Sequence, residues 1–156
     1  MKKPFIAAAA AAIALSGAAF AQEDDEGPFA RQIEARQGIM NYFALNLGVL
    51  GAMAKGEADY DAAAARKAAD NLVAASGRDM SMLWPAGSDN VAHKNTAALP
   101  ALWAEGADVG TKAGALKDAA LRMQEAAGTD LVALQGAMEG LGAACTGCHK
   151  PFRQAE

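Results

Sequence analysis

The chain is poor in the residues that would place it in several common classes. It has only two cysteines, both near the C-terminus, and two histidines, so a four-ligand structural metal site has almost nothing to draw on. β-branched residues are few, and no stretch alternates apolar and polar residues at period two, which removes the basis for a sheet. After the first 21 residues no long apolar run occurs, so no membrane anchor is expected. There is no excess of basic residues. The 14 Lys and Arg are outnumbered by 18 Asp and Glu, an acidic balance that argues against nucleic acid and gives no reason to expect anionic lipid. No internal repeat is visible, and alanine bias is the only compositional extreme. Nor does any acid–base or nucleophilic set stand out, so an enzyme is not indicated.

The first 21 residues read as a secretory signal. Lys2 and Lys3 open it, Phe5 to Leu15 are apolar, and Ala19-Phe20-Ala21 offers the small-x-small cleavage pattern. Cleavage leaves residues 22–156 as one domain with 12 basic against 18 acidic residues, a net charge of −6. Export delivers the product to an oxidising compartment, here the periplasm.

Abundant alanine and three- and four-residue apolar spacing predict an all-α chain of four helices. The first is expected from Pro28 to Lys55, stopped by Gly56, with Ile33, Met40, Phe43, Leu47 and Leu50 on its apolar face. The second runs from Tyr60 to Ser76 with Asp59 as N-cap. An irregular surface loop follows from Trp84 to Pro100, with Trp84 and Trp103 assigned to the core. The third helix spans Asp108 to Ala127, and Thr129 caps a fourth that continues to Gln154. On that last helix Leu131, Leu134, Met138, Leu141, Cys145, Cys148 and Phe152 form an unbroken core stripe. Four helices with one long connection point to an antiparallel four-helix bundle.

The chemistry is concentrated in Cys145-Thr146-Gly147-Cys148-His149, the C-x-x-C-H pattern of covalent haem attachment. Two thiols one turn apart can bond the two vinyl groups on one porphyrin edge, while the adjacent imidazole reaches the iron. A structural zinc site needs four ligands, and only His93 could add one. A thioredoxin-like dithiol needs a preceding strand that the chain does not offer, and a local disulfide leaves His149 unexplained. No methionine or histidine follows His149, so any second iron ligand must come from upstream. In an up-down bundle the start of the first helix lies beside the end of the fourth, which puts Met40 opposite His149. Met40 is there either an iron ligand or the residue that closes the distal pocket. Phe43 is read as a pocket wall. Arg36 and Arg153 fall at the same end, as partners for the haem propionates or as solvated helix charges. Met80, Met82 and His93 approach that end through the loop without an assigned role.

The sequence closely resembles the class II c-type cytochromes, specifically the cytochrome c′ family. The resemblance rests on Ala35-Arg36-Gln37-Gly38-Ile39-Met40, Met53-Ala54-Lys55-Gly56 with Tyr60-Asp61-Ala62, Trp84-Pro85-Ala86-Gly87-Ser88, Ala98-Leu99-Pro100 with Trp103, and Cys145 to His149 with Phe152-Arg153. It implies an antiparallel four-helix bundle with one covalently bound haem c, five-coordinate and high-spin, whose distal side is closed at Met40 and admits nitric oxide and carbon monoxide. It also implies a homodimer through the first two helices, with electron exchange at the haem edge toward an unidentified redox partner. Low-spin relatives add a methionine ligand and act purely as electron carriers. Lys150 departs from the acidic residue common after the haem histidine.

Overall fold

The computed structural model describes residues 27–155; the secretory signal read at residues 1–21 lies outside them. The described residues form four helices: α1 (Ala30–Lys55), α2 (Ala62–Ser76), α3 (Val109–Ala127) and α4 (Leu131–Phe152). Short 3-10 turns at Ser81–Leu83 and Pro100–Trp103 flank the long connection between α2 and α3. No strand occurs among the described residues, as expected of an all-α chain.

The helices end as expected at Lys55, Ser76 and Ala127, and the remaining ends follow local chemistry one or two residues away from the expected positions. α1 begins at Ala30, not Pro28, after a turn at Pro28 and Phe29, and it stops where Gly56 adopts φ 74°, a left-handed conformation that suits glycine. Asp61, not Asp59, caps α2, because its carboxylate accepts from the backbone N–H groups of Ala63 and Ala64. Likewise Asp130, not Thr129, caps α4 by accepting from Ala133 N–H at 2.8 Å. α4 ends at Phe152, not Gln154. Arg153 turns extended there to form an antiparallel bridge with Ala98, which takes the next two backbone groups away from the helix.

α3 packs along both α2 and α4, and α1 packs along α2; α1 and α4 pack less extensively. The shared core holds Leu50, Leu72, Met123, Leu134 and Leu141, all fully or almost fully buried, with a carpet of buried alanines on α2 and α3. Alanine lets helix axes approach closely while costing little side-chain entropy. One polar pair interrupts the α1–α2 seam. Asn46 is 5% exposed; its amide donates to Tyr42 O, and its Oδ1 accepts from Asn71 Nδ2 at 2.9 Å.

The register of α1 against α4 is fixed at two points. Gly51 faces Met138, whose Cε would lie 3.9 Å from a Cβ placed on the glycine. Gln135 Nε2 donates to Ala54 O at 2.8 Å. Both pairs share one antiparallel register, and continuing it eleven residues toward the other end brings Met40 level with His149.

Candidate haem site

The predicted stripe on α4 is buried at Leu134, Leu141 and Phe152, while Leu131, Met138, Cys145 and Cys148 are half-buried and the adjacent His149 is exposed. Both thiols are free. α1 also dips in burial at the level of His149. Arg36 and Phe43, one turn to either side of Met40 on its face, are 3% and 6% exposed, whereas Met40 is 37% exposed. A face that merely turned to solvent would expose all three. The lower burial at one level of two facing helices is where a group held between Met40 and the Cys-x-x-Cys-His turn would sit.

Burial pushes both thiols above their usual range. For Cys145 the neighbouring Cys148 adds to the rise; for Cys148 Lys112 opposes it and Asp108 adds to it. His149 shifts down, first through burial and then through the positive charge of Arg153. A neutral imidazole keeps the lone pair that a metal needs. Two free thiols one helical turn apart and an adjacent neutral imidazole fit a covalently held haem, the group that the sequence motif implies. A shallow concavity of about 730 Å³ also adjoins this turn, lined by Lys112, Thr146, Gly147 and Lys150. At 100° per residue, Gly147 and Lys150 point away from Cys145, so this concavity lies on the outer side of α4 and not between α1 and α4.

Arg36 is not the solvated helix charge that was one of its two readings. Its Nη1 donates to Ser88 Oγ at 2.7 Å and more distantly to Leu83 O; its Nη2 donates to Ser88 O and to Thr96 Oγ1 at 2.7 Å. The guanidinium carbon also sits 4.7 Å from the centre of the Trp84 ring. Every one of these partners is neutral, and burial alone lowers the arginine's pKa. It is a buried cation with no carboxylate beside it among the described residues. Gln37, next in sequence, donates to Asn95 O at 2.6 Å.

The connection between α2 and α3 is therefore more than a surface loop. Ser88 within it is fully buried. Trp84 and Trp103, assigned to the core, are half-buried at its two ends, with Trp103 Nε1 donating to Trp84 O at 2.9 Å. The far end of the connection is stitched to the tail of α4: Leu99 N–H donates to Phe152 O at 2.9 Å and Gln154 N–H to Ala97 O at 2.8 Å. Arg153, four residues beyond His149, pairs with Ala98 in this bridge. Phe43 belongs to the central core cluster. Met80 packs against that cluster, Met82 is 79% exposed, and His93 lies edge-on to Phe29 with centroids 5.7 Å apart. Sequence reasoning gave no role to Ser88, Thr96 or Gln37; the sequence signal was the run Trp84 to Ser88 together with the dipeptide Arg36-Gln37.

Comparisons with known proteins identify the family. The model of the family described as Cytochrome C′ matches residues 31–153. Cytochrome c-554 of Cereibacter sphaeroides is 48% identical over 126 residues, covering 81% of this chain and 82% of the relative. Among solved structures, cytochrome c′ from "Rhodobacter Spheriodes" superposes with a TM-score of 0.80 at 36% identity, covering 83% of this chain and 100% of the other. A nitric oxide complex of a mutant cytochrome c prime from Alcaligenes xylosoxidans superposes at 0.71 with 25% identity, covering 83% and 98%. A cytochrome c′ described as having a ligand-controlled dimer dissociation superposes at 0.72 with 28% identity, covering 83% and 98%. The chain belongs to the cytochrome c′ family, and its cofactor is covalently attached haem c.

Proposed function

We propose that this chain is an exported, periplasmic haem protein that takes up nitric oxide or carbon monoxide in the gap between α1 and α4. Cys145 and Cys148 hold the haem by thioether bonds, and His149 is the axial iron ligand. Bound haem supplies an iron that takes a diatomic ligand or exchanges an electron. Met40 closes the face opposite His149. The observation that carries this reading is Met40 itself: level with His149, and left 37% exposed between buried neighbours. Its thioether and the Phe43 ring below make the pocket apolar, which favours a small uncharged ligand over water.

Arg36 supports the same reading. A buried cation is ordinarily paired with an anion. Here its partners are neutral, so a haem propionate would supply the missing charge, and Arg153 is a second candidate at that end. The nitric oxide complex of the Alcaligenes relative is consistent with gas binding by this fold. Tyr42, Leu45 and Val49, exposed along one side of α1, would provide the apolar surface for a homodimer through α1 and α2. The protein acts as a binder and electron carrier, not a catalyst.

Absorption and EPR spectra of the purified ferric protein test the reading. A high-spin spectrum, with carbon monoxide binding to the reduced form, is expected. A low-spin spectrum with a sulfur-to-iron charge-transfer band that disappears in Met40→Ala would instead make the protein a six-coordinate electron carrier, and the gas-binding reading would fall.

A further inference from the structure

The connection between α2 and α3 is fastened at two places, and each fastening lies about one helical turn from a residue that faces the haem. The first is Arg36, four residues before Met40. It grips Leu83, Ser88 and Thr96 through its hydrogen bonds and Trp84 through the ring face, and Gln37 adds a bond to Asn95. The second is the bridge of Ala98 with Arg153, where the Arg153 N–H in turn donates to His149 O at 2.9 Å. Between them Asn90 ties the segment to itself and to the tail: its N–H donates to Ala98 O and its Nδ2 to Gln154 Oε1, both at 2.8 Å.

Resting on the haem reading above, we propose that residues 83–99 are a strap that sets the spacing between Met40 on α1 and His149 on α4, with Arg36 as its positioning residue. α1 and α4 pack less extensively than the other neighbouring helix pairs, and their specific contacts at Gly51–Met138 and Ala54–Gln135 are about 16 and 21 Å along the axis from the Met40 level, at 1.5 Å per residue. Direct packing is therefore poorly placed to hold the gap at a fixed width. The strap spans it instead. Its inner anchor is costly to break: removing Arg36 leaves the buried Ser88 hydroxyl and carbonyl without their donors, while removing the acceptors leaves a buried cation. An anchor of this kind has one well-defined geometry and transmits a displacement instead of absorbing it.

The test compares the haem-loaded wild type with Arg36→Met and with the double variant Ser88→Ala/Thr96→Val, which leaves Arg36 and any propionate contact in place. Amide hydrogen exchange is read at Leu99 and Gln154, in the distant anchor. It should speed up roughly tenfold or more in both variants as that anchor loosens. The ferric spectrum and the carbon monoxide association rate should shift in the same direction in both. If only Arg36→Met shifts the spectrum and Leu99 and Gln154 keep their protection, Arg36 acts directly on the haem and the strap is refuted. If exchange speeds up but spectrum and rate stay put, the strap does not set the gap and the proposal is equally refuted. Gln154→Ala, at an exposed position, covers the case in which the buried variants fail to fold; it should accelerate exchange at Ser88, and unchanged exchange there would count as refutation. Carbon monoxide binding by the wild type judges the gas reading separately, because the strap is scored only on differences between variants and wild type.

Discussion

Replacing Asn46 and Asn71 by leucine should destabilise the protein singly but leave it near wild-type stability when both are replaced. Asn46 is 5% exposed, and its Oδ1 accepts from Asn71 Nδ2 at 2.9 Å in the seam between α1 and α2. Asn46→Leu removes the acceptor and strands the Asn71 amide. Because Asn71 is only half-buried, water can partly replace the lost partner, and the cost should sit near the lower end of the unsatisfied-group range, about 1 kcal/mol. The second bond of Asn46, to Tyr42 O, adds little, since that carbonyl lies inside α1 and already has its helical partner. Asn71→Leu strands the Asn46 Oδ1 in a drier place and should cost about 1–2 kcal/mol. The double variant leaves no orphan and buries two side chains of similar volume beside Leu72, so it should return to within about 0.5 kcal/mol of the wild type or exceed it. The coupling energy, read from urea unfolding followed by far-UV circular dichroism at equal haem loading, is then about 2–3 kcal/mol. Single effects that add to within about 0.3 kcal/mol would falsify the idea that this pair is a closed unit.

Other outcomes follow from burial and capping. Leu141→Ala, fully buried one turn before Cys145, should cost about 3 kcal/mol in urea unfolding, whereas Val132→Ala on the same helix, 77% exposed, should stay within about 0.5 kcal/mol; equal losses would mean that α4 is not seated as described. Asp130→Ala removes the oxygen that accepts from Ala133 N–H and should cost about 1 kcal/mol, while Thr129→Ala, whose hydroxyl only returns to Glu125 O, should cost clearly less in the same melts.

The helix order was legible because helices are written in short-range spacing. The apolar residues of α1 and α4 recur every three or four positions, and a glycine follows each of α1, α2 and α3. The haem motif was legible for the same reason: Cys145, Cys148 and His149 lie within five residues, so one local spacing carries the chemistry. Even the level of Met40 against His149 could be obtained by counting along two antiparallel helices. Cap assignments slipped by one or two residues, because neighbouring acidic and hydroxyl residues compete for the same N–H groups and the backbone angle decides between them.

What only the tertiary structure decided are pairings across long stretches of chain. Arg36 meets Ser88 and Thr96 at separations of 52 and 60 residues, and the Asn46–Asn71 bond spans 25. Polar residues at such distances leave no periodic trace, so Arg36 reads in sequence as one more charge on a helix, and Ser88 as one more residue of a loop. The motif from Cys145 to His149 thus settled from sequence which cofactor the chain carries. Which polar groups brace the helices around it was settled by the fold, because Arg36 reaches Ser88 and Thr96 only when the chain is folded.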